Sequence, residues 1–452
     1  MQPLLPKILK RSSHNISRTM ISPNALRILY RLRDNGFKAC LVGGSVRDLL
    51  INRAPKDFDI VTDATPEQIR RLFRNCRLIG RRFRLAHIHF RDEMIEVATF
   101  RASGEEPEPD EFLPDDNEEE SPSEDNRDRH HGRLLKSEGG MLLRDNLFGS
   151  PEEDAWRRDF TINALSYSIA DFSVIDYVGG LEDLERRVIR TIGDPWDRFT
   201  EDPVRMIRAV RLSAQLGFDI DKISWKALVE MSVGITNSSP ARLFDELLKT
   251  LLSGSATECY RLLRSGRLFN ALLPAFDEWL DENGDETLDF SLRWIDSRLA
   301  SGGTVSSHLF LAVIFGEHLG KRAEALPAHF GSFQDSVDHA LAGFMRETSG
   351  TLQIPQRTVM RLREILLLEE RLVKIPGRKP MNVVSRPGFS DAIEYLRFKA
   401  GRDAHIEKVI SWWERYVGEG LPHGEPQKAH HEPGKKRRRR KRRGDRSGSE
   451  NT

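Results

Sequence analysis

The spacing of apolar positions changes once along the chain. Up to about residue 180 they come in short runs bounded by glycine or charged residues, which predicts strands mixed with short helices. From about 181 to 420 they recur at helical spacing, broken by turn signals such as Gly302 with Gly303 and Pro376 with Gly377. Within the first part, Cys40, Leu41 and Val42 predict a short strand that ends at Gly43 and Gly44, where Ser45 opens a helical turn. Residues 95–100 read as another strand, paired with 86–90 across Arg91, Asp92 and Glu93. Within the second part, Val204, Ile207 and Val210 recur every three residues, and Arg205, Arg208 and Arg211 recur one step further on. That spacing predicts a helix with an apolar face and an arginine stripe beside it, opened by Asp202 as N-cap and Pro203 as first helical residue. Residues 362–372 and the aromatic run of Trp412, Trp413 and Tyr416 are assigned to core.

Composition narrows the class. The 452 residues carry 70 Lys plus Arg against 69 Asp plus Glu, with 38% hydrophobic and 31% charged residues, which fits a surface-rich chain of several domains. No apolar run of 18 or more residues occurs, so no transmembrane segment is expected. Three cysteines (Cys40, Cys76 and Cys259) are too few and scattered for a disulfide framework or a cysteine zinc site. The near-neutral total conceals segregated charge. Residues 104–126 hold 12 acidic and no basic side chains, with four prolines, so an insertion over 104–138 is expected to be disordered. Residues 435–444 hold nine Lys or Arg, among them Lys435, Lys436, Arg437 and Arg438. The tail over 421–452 is therefore expected to be disordered, and is either a solvated tail or an arm on nucleic acid; the second is favoured, since each cation placed on a phosphate releases counterions. The first 33 residues contain no acid and lack the apolar stretch of a secretory signal, so 1–21 read as a loose basic segment, with an organelle targeting peptide as the alternative.

The candidate chemistry concentrates between residues 39 and 63. Paired glycines let the backbone come close to a phosphate, and the N–H groups at a helix start favour an anion. Arg47 sits one turn in, able to reach the same anion. Asp57 and Asp59 follow. On a strand, residues two apart share a face, so both carboxylates would point one way and Phe58 the other. Two carboxylates so close repel each other, and a divalent cation relieves the repulsion. Hard oxygen ligands suit Mg²⁺, shared with substrate phosphates. A two-ion arrangement would activate an attacking hydroxyl and stabilise a leaving pyrophosphate. A third carboxylate would come from Glu96 or from Asp159. Glu96 is otherwise a solvent-facing strand residue, and Asp159 otherwise holds a ribose hydroxyl or orients Arg158. The arginine stripe is either a solvated face or a donor-rich surface suited to base edges and triphosphate oxygens. His87 and His89 share one face of a strand and read as structural residues rather than metal ligands.

Together these residues resemble the class II nucleotidyltransferases, the bacterial poly(A) polymerases and CCA-adding tRNA enzymes. The family pattern G-G-x-V-R-D falls on 43–48, D-x-D on 57–59, R-R-D-x-T-I-N-A on 157–164 and E-D-P-x-R-x-x-R on 201–208. The match covers about 22–217 and continues more weakly through 239–246. It implies an α+β fold with a nucleotidyltransferase-type head holding a small mixed sheet (22–180). An all-helical neck with the base-recognition helix (181–255) and a helical body with an RNA-binding C-terminal domain (256–420) would follow. The resemblance implies template-independent adenylation of RNA 3′ ends, in which the 3′-hydroxyl attacks the α-phosphate of ATP and pyrophosphate leaves. On that reading Asp57 and Asp59 carry the Mg²⁺ ions, and Gly43, Gly44 and Arg47 hold the triphosphate. Arg158 and Asn163 contact the nucleotide, Asp159 is a further catalytic acid, and Asp202, Arg205 and Arg208 read the base. Segments 78–88 and 143–149 resemble the poly(A) branch, with CCA addition to tRNA as the alternative. The implied partners are RNA 3′ ends, ATP and RNA-decay or RNA-chaperone proteins, in the cytoplasm.

Overall fold

The computed structural model describes residues 5–80, 84–101, 135–136, 142–144, 148–327, 331–375 and 380–419. The acidic insertion apart from Leu135 and Lys136, the basic tail with Lys435 to Arg438, the Pro376 and Gly377 break and the centre of segment 78–88 lie outside them. The chain forms two compact units, Met1–Leu367 and Leu368–Thr452, whose boundary falls inside the stretch 256–420 expected to hold the helical body and C-terminal domain.

An eight-stranded mixed sheet organises the head. Its strands are β1 (Lys7–Leu9), β2 (Ala39–Val42), β3 (Asp59–Thr62), β4 (Cys76–Ile79), β5 (Leu85–His89), β6 (Met94–Thr99), β7 (Ser166–Ser168) and β8 (Val174–Asp176), in spatial order β1-β8-β7-β2-β3-β6-β5-β4. The β3 and β6 pair is parallel and the other neighbours are antiparallel. The expected pairing of 86–90 with 95–100 holds within a residue at each end. Residues 5–21 are not loose, because Lys7–Leu9 pairs with Val174–Asp176 as an edge strand and Ile16 is fully buried.

Helix α1 (Pro23–Asp34) starts at Ser22, whose hydroxyl accepts from the backbone of Asn24 and Ala25, and Pro23 occupies its first turn. It buries Ala25, Ile28, Leu29 and Leu32, one helical stripe. The short helix α2 (Gly44–Leu50) follows β2 directly, and α3 (Pro66–Leu72) opens with a Thr65–Gln68 capping box.

Beyond the sheet come α4 (Pro151–Trp156), α5 (Gly180–Arg186), α6 (Pro195–Glu201), α7 (Val204–Leu216), α8 (Lys222–Met231) and α9 (Pro240–Leu251). The neck is not wholly helical, since Val188–Ile189 and Asp219–Ile220 form a two-residue parallel pair. Helix α7 begins one residue later than expected, with Pro203 at the cap position, although the Asp202 carboxylate still accepts from Val204 N at 3.3 Å. The break at Gly302 and Gly303 separates Glu286–Ala300 from Ser307–Glu324.

In the second unit, Trp413 is 1% exposed and donates its indole N–H to Leu372 O at 2.9 Å, as a core assignment requires. Trp412 and Tyr416 stack at 5.3 Å between centroids against that cluster. Among the described residues no helix is long and apolar enough to cross a membrane.

Candidate active site

The chain turns sharply where β2 meets α2. Gly43 has φ of 72°, a region in which an L side chain is strained. A Cβ there would lie 3.4 Å from Arg158 Nη1 and 3.9 Å from Asp59 Oδ2. Val42 pairs with Asp59, so the first acid of β3 lies beside the turn. Arg47, on α2, is buried, and its guanidinium donates to Asp48 Oδ1 at 2.8 Å and Asn163 Oδ1 at 2.6 Å. A Cβ on Gly44 would stand 3.3 Å from Arg47 Nη2, so the arginine braces the turn from close range.

The two acids do not share a strand. β3 begins at Asp59, and Asp57 precedes it in a segment without regular structure, so the expectation of one ribbon edge for both holds only for Asp59. Neither forms a hydrogen bond or ion pair within the described residues. Desolvation pushes the Asp59 carboxyl up to about 6; Glu96 and Asp57 add repulsion, and Arg158 opposes them. Glu96 is close because β3 and β6 run parallel with Ile60 opposite Val97. His87 Nε2, on the next strand, lies 3.7 Å from Glu96 Oε2.

Asp159 has a different setting. It is 8% exposed, accepts from Phe160 N at 2.8 Å and Asn163 Nδ2 at 3.3 Å, and pairs with Arg208 Nη2 at 2.5 Å. Burial alone would raise its carboxyl, but Arg208 and these hydrogen bonds hold it below the usual carboxylate range. Asp159 therefore orients Arg208, whereas Arg158 is held by Asp154 at 3.1 Å. Of the two candidate third acids, the fold sets Glu96 against Asp59 and commits Asp159 to an arginine.

The arginine stripe on α7 is not a solvated face. Arg205 is 7% exposed and donates to Arg198 O and Glu201 Oε2, both at 2.8 Å. Arg208 reaches Asp159, and Arg211 pairs with Glu246 at 2.7 Å. Arg198 Nη2 in turn donates to the carbonyls of Arg157 and Arg158 at 2.8 Å, and Arg242 grips both oxygens of Asp202 at 3.0 and 3.2 Å. Arg198, Arg242 and Asp154 were not singled out from the sequence. The weak motif match at 239–246 contains Arg242, whereas Asp154 and Arg198 lie three residues ahead of the motifs at 157–164 and 201–208.

An open cleft of about 270 Å³ is lined by Gly43, Gly44, Asp59, Arg158, Asp159, Asn163, Asp202, Arg205 and Arg208. Residues up to 165 positions apart, Gly43 and Arg208, are thus brought together, and nearly all the expected nucleotide contacts are among them. Arg47, Asp57 and Glu96 are not part of that lining. Among the described residues no three His, Cys, Asp or Glu side chains already converge as metal ligands. The carboxylate set itself suits a hard divalent cation, because Asp59 is left beside two like charges with no partner of its own.

The fold is similar to that of the Bacillus stearothermophilus CCA-adding enzyme in complex with CTP, with a TM-score of 0.57 and 23% identity over 89% of this chain and 84% of that one. A tRNA nucleotidyltransferase complexed with a primer tRNA and an incoming ATP analog gives a TM-score of 0.55 at 22% identity, over 87% of this chain and 100% of that one. These two likenesses show the fold. Family models described as "Poly A polymerase head domain" and "Polymerase A arginine-rich C-terminus" match residues 39–190 and 331–447, and one described as "Probable RNA and SrmB- binding site of polymerase A" matches 217–280. Poly(A) polymerase I of Salmonella typhi is 40% identical over 92% of this chain and 86% of its own, and that of Haemophilus influenzae 37% over 90% and 87%. The chain belongs to the bacterial poly(A) polymerase family.

Proposed function

We propose that this protein adds adenylates to RNA 3′ ends without a template, using ATP. The observation that carries the reading is the single cleft in which the Gly43 turn, Asp59, Arg158, Asn163, Asp202, Arg205 and Arg208 meet. Phosphoryl transfer depends mainly on positioning and on neutralising spread charge, and those residue types supply both. The Gly43 and Gly44 backbone would receive the triphosphate, with Arg158 alongside. Asp202 and Arg205, whose guanidinium is pinned by Arg198 O and Glu201, would present fixed acceptors and donors to the adenine edge. Asp57, Asp59 and Glu96 would hold Mg²⁺, which when bound supplies Lewis-acid activation of the 3′-hydroxyl and charge neutralisation for departing pyrophosphate. Asp159 positions Arg208 rather than joining that set. The product would enter RNA processing and decay in the cytoplasm.

CCA addition to tRNA is the second reading, motivated by the solved structures of similar fold. The extent of similarity favours adenylation: the CCA-adding enzyme of Leuconostoc mesenteroides matches at 34% identity over 60% of the chain, against about nine-tenths for the poly(A) polymerases. Extension assays with each nucleotide separately, on oligo(A) and on tRNA lacking its end, decide the matter. Incorporation of ATP on oligo(A) supports adenylation; CTP before ATP, on tRNA alone, would establish the second reading instead.

A further inference from the structure

We propose, resting on the reading that Asp57, Asp59 and Glu96 hold Mg²⁺, that His87 is a positioning residue whose imidazole keeps the Glu96 carboxylate in line with Asp59. From the sequence His87 reads as a structural histidine, because nothing near it in the chain ties it to an acid. The sheet supplies the tie. His87 lies directly opposite Glu96 in the β5 and β6 pair. Glu96 and Asp59 each precede the residues of the parallel Val97 and Ile60 pair. Cross-strand neighbours share a face, so Asp59, Glu96 and His87 stand in one row with Glu96 in the middle.

The middle place in that row needs support. After desolvation, repulsion from Glu96 is the next cause that raises the Asp59 carboxyl, so the two acids push each other apart. The Glu96 side chain is long and 41% exposed, and it forms no hydrogen bond or other ion pair with a described residue. Alone it would swing away from Asp59 into solvent, and every cation that bound would have to order it again. His87 stands on the other side of it. The imidazole is 18% exposed, and its Nε2 lies 3.7 Å from Glu96 Oε2. With its proton on Nε2 the neutral ring is a donor aimed at that oxygen, about 0.5 Å beyond hydrogen-bond range. The flexible Glu96 closes that gap once a cation holds its other oxygen. Carboxylates that ligate a metal are generally fixed by such an outer hydrogen bond. His89 provides the contrast. Its ring is 6.4 Å from that of His87 and on the same face, but it lies opposite Met94, so no acid faces it across the pair.

The test is Mn²⁺ binding by the full-length protein, measured by electron paramagnetic resonance with an ATP analogue that carries a methylene bridge between its α and β phosphorus atoms. The Mn²⁺ that the wild type binds and Asp59→Asn loses defines the site. His87→Phe keeps a ring and removes the donor; it should weaken that Mn²⁺ about tenfold and raise the Mg²⁺ concentration for half-maximal extension by a like factor. His87→Gln, which keeps an N–H donor on a side chain of similar reach, should stay within about threefold of the wild type. His89→Phe should bind as the wild type does. A merely structural role would lower the urea midpoint of His87→Phe and leave its Mn²⁺ affinity unmoved. Unmoved affinity in His87→Phe, or losses of equal size in His87→Gln or His89→Phe, overturn the proposal. If Asp59→Asn loses no Mn²⁺, the metal reading itself fails and this role of His87 falls with it. Extension of oligo(A) by the wild-type protein is scored separately, so that failure of the adenylation reading is not confused with either result.

Discussion

Arg208 on α7 and Asp159 after α4 form an ion pair of 2.5 Å that ties the neck helix to the wall of the cleft, with Arg208 Nε on the same carboxylate oxygen at 2.8 Å. Substituting Asn for Asp159 keeps the shape and removes the charge. Because the Arg208 side chain retains 42% exposure, the cost should be about 1–3 kcal/mol rather than the full penalty of a buried charge left alone. Urea unfolding measures that loss. Adenylation should fall with it, since Arg208 loses its orientation; unaltered activity would show that the pair only supports the fold.

Asp57 lies outside the cleft lining but contributes to the raised pKa of Asp59. Asp57→Ala is expected to reduce Mg²⁺-dependent incorporation of label from ATP by about 10³-fold or more. RNA binding by anisotropy should hardly change. A variant that still turns over at near wild-type rate would remove Asp57 from the metal set.

The backbone at Gly43 tolerates no side chain cheaply. Gly43→Ala places a Cβ 3.4 Å from Arg158 Nη1 at a φ of 72°. A cost of about 1–2 kcal/mol in stability is expected, with KM for ATP raised more than KM for RNA. Paired thermal melts and steady-state kinetics test both halves.

His318 supplies a pH signature away from the site. Burial, aided by Arg322, lowers its pKa from 6.5 to about 4, with Glu347 opposing. The unfolded chain therefore takes the proton first as pH falls. Stability should drop between about pH 6.5 and 4 and level off below, by about 3 kcal/mol at most. His318→Gln should flatten that stretch of the urea midpoint against pH, and an unchanged profile would place the titration elsewhere.

Removing residues 435–443 takes nine cations from the tail. RNA affinity should weaken and its salt dependence flatten, while single-turnover use of ATP stays nearly intact. Equal binding by both forms at low and moderate salt would contradict the assignment of the tail to RNA.

Much of the site was legible because its signals are local. A strand ending at paired glycines and a helix with apolar residues three apart follow from short-range spacing and backbone freedom, and both occur at 39–50 and 204–216. The Asp57 and Asp59 pair misled for the same reason. Alternation along a strand is a sound rule, but the ladder with Val42 begins only at Asp59, so the rule had no strand to act on at Asp57. Arg205 looked like part of a surface stripe because helical spacing reports a face and not what that face meets.

The order of motifs, the turn at Gly43, the helical second half and the segregation of charge were determined by the sequence alone, since each depends on residues within a few positions of one another. Which carboxylate faces Asp59, which acids claim Arg205, Arg208 and Arg211, and that Lys7–Leu9 closes one edge of the sheet were decided only by the tertiary structure. Those partners lie between four and about 170 positions away, and an ion pair or a strand ladder forms by distance in space, which sheet order and helix packing set and local spacing does not.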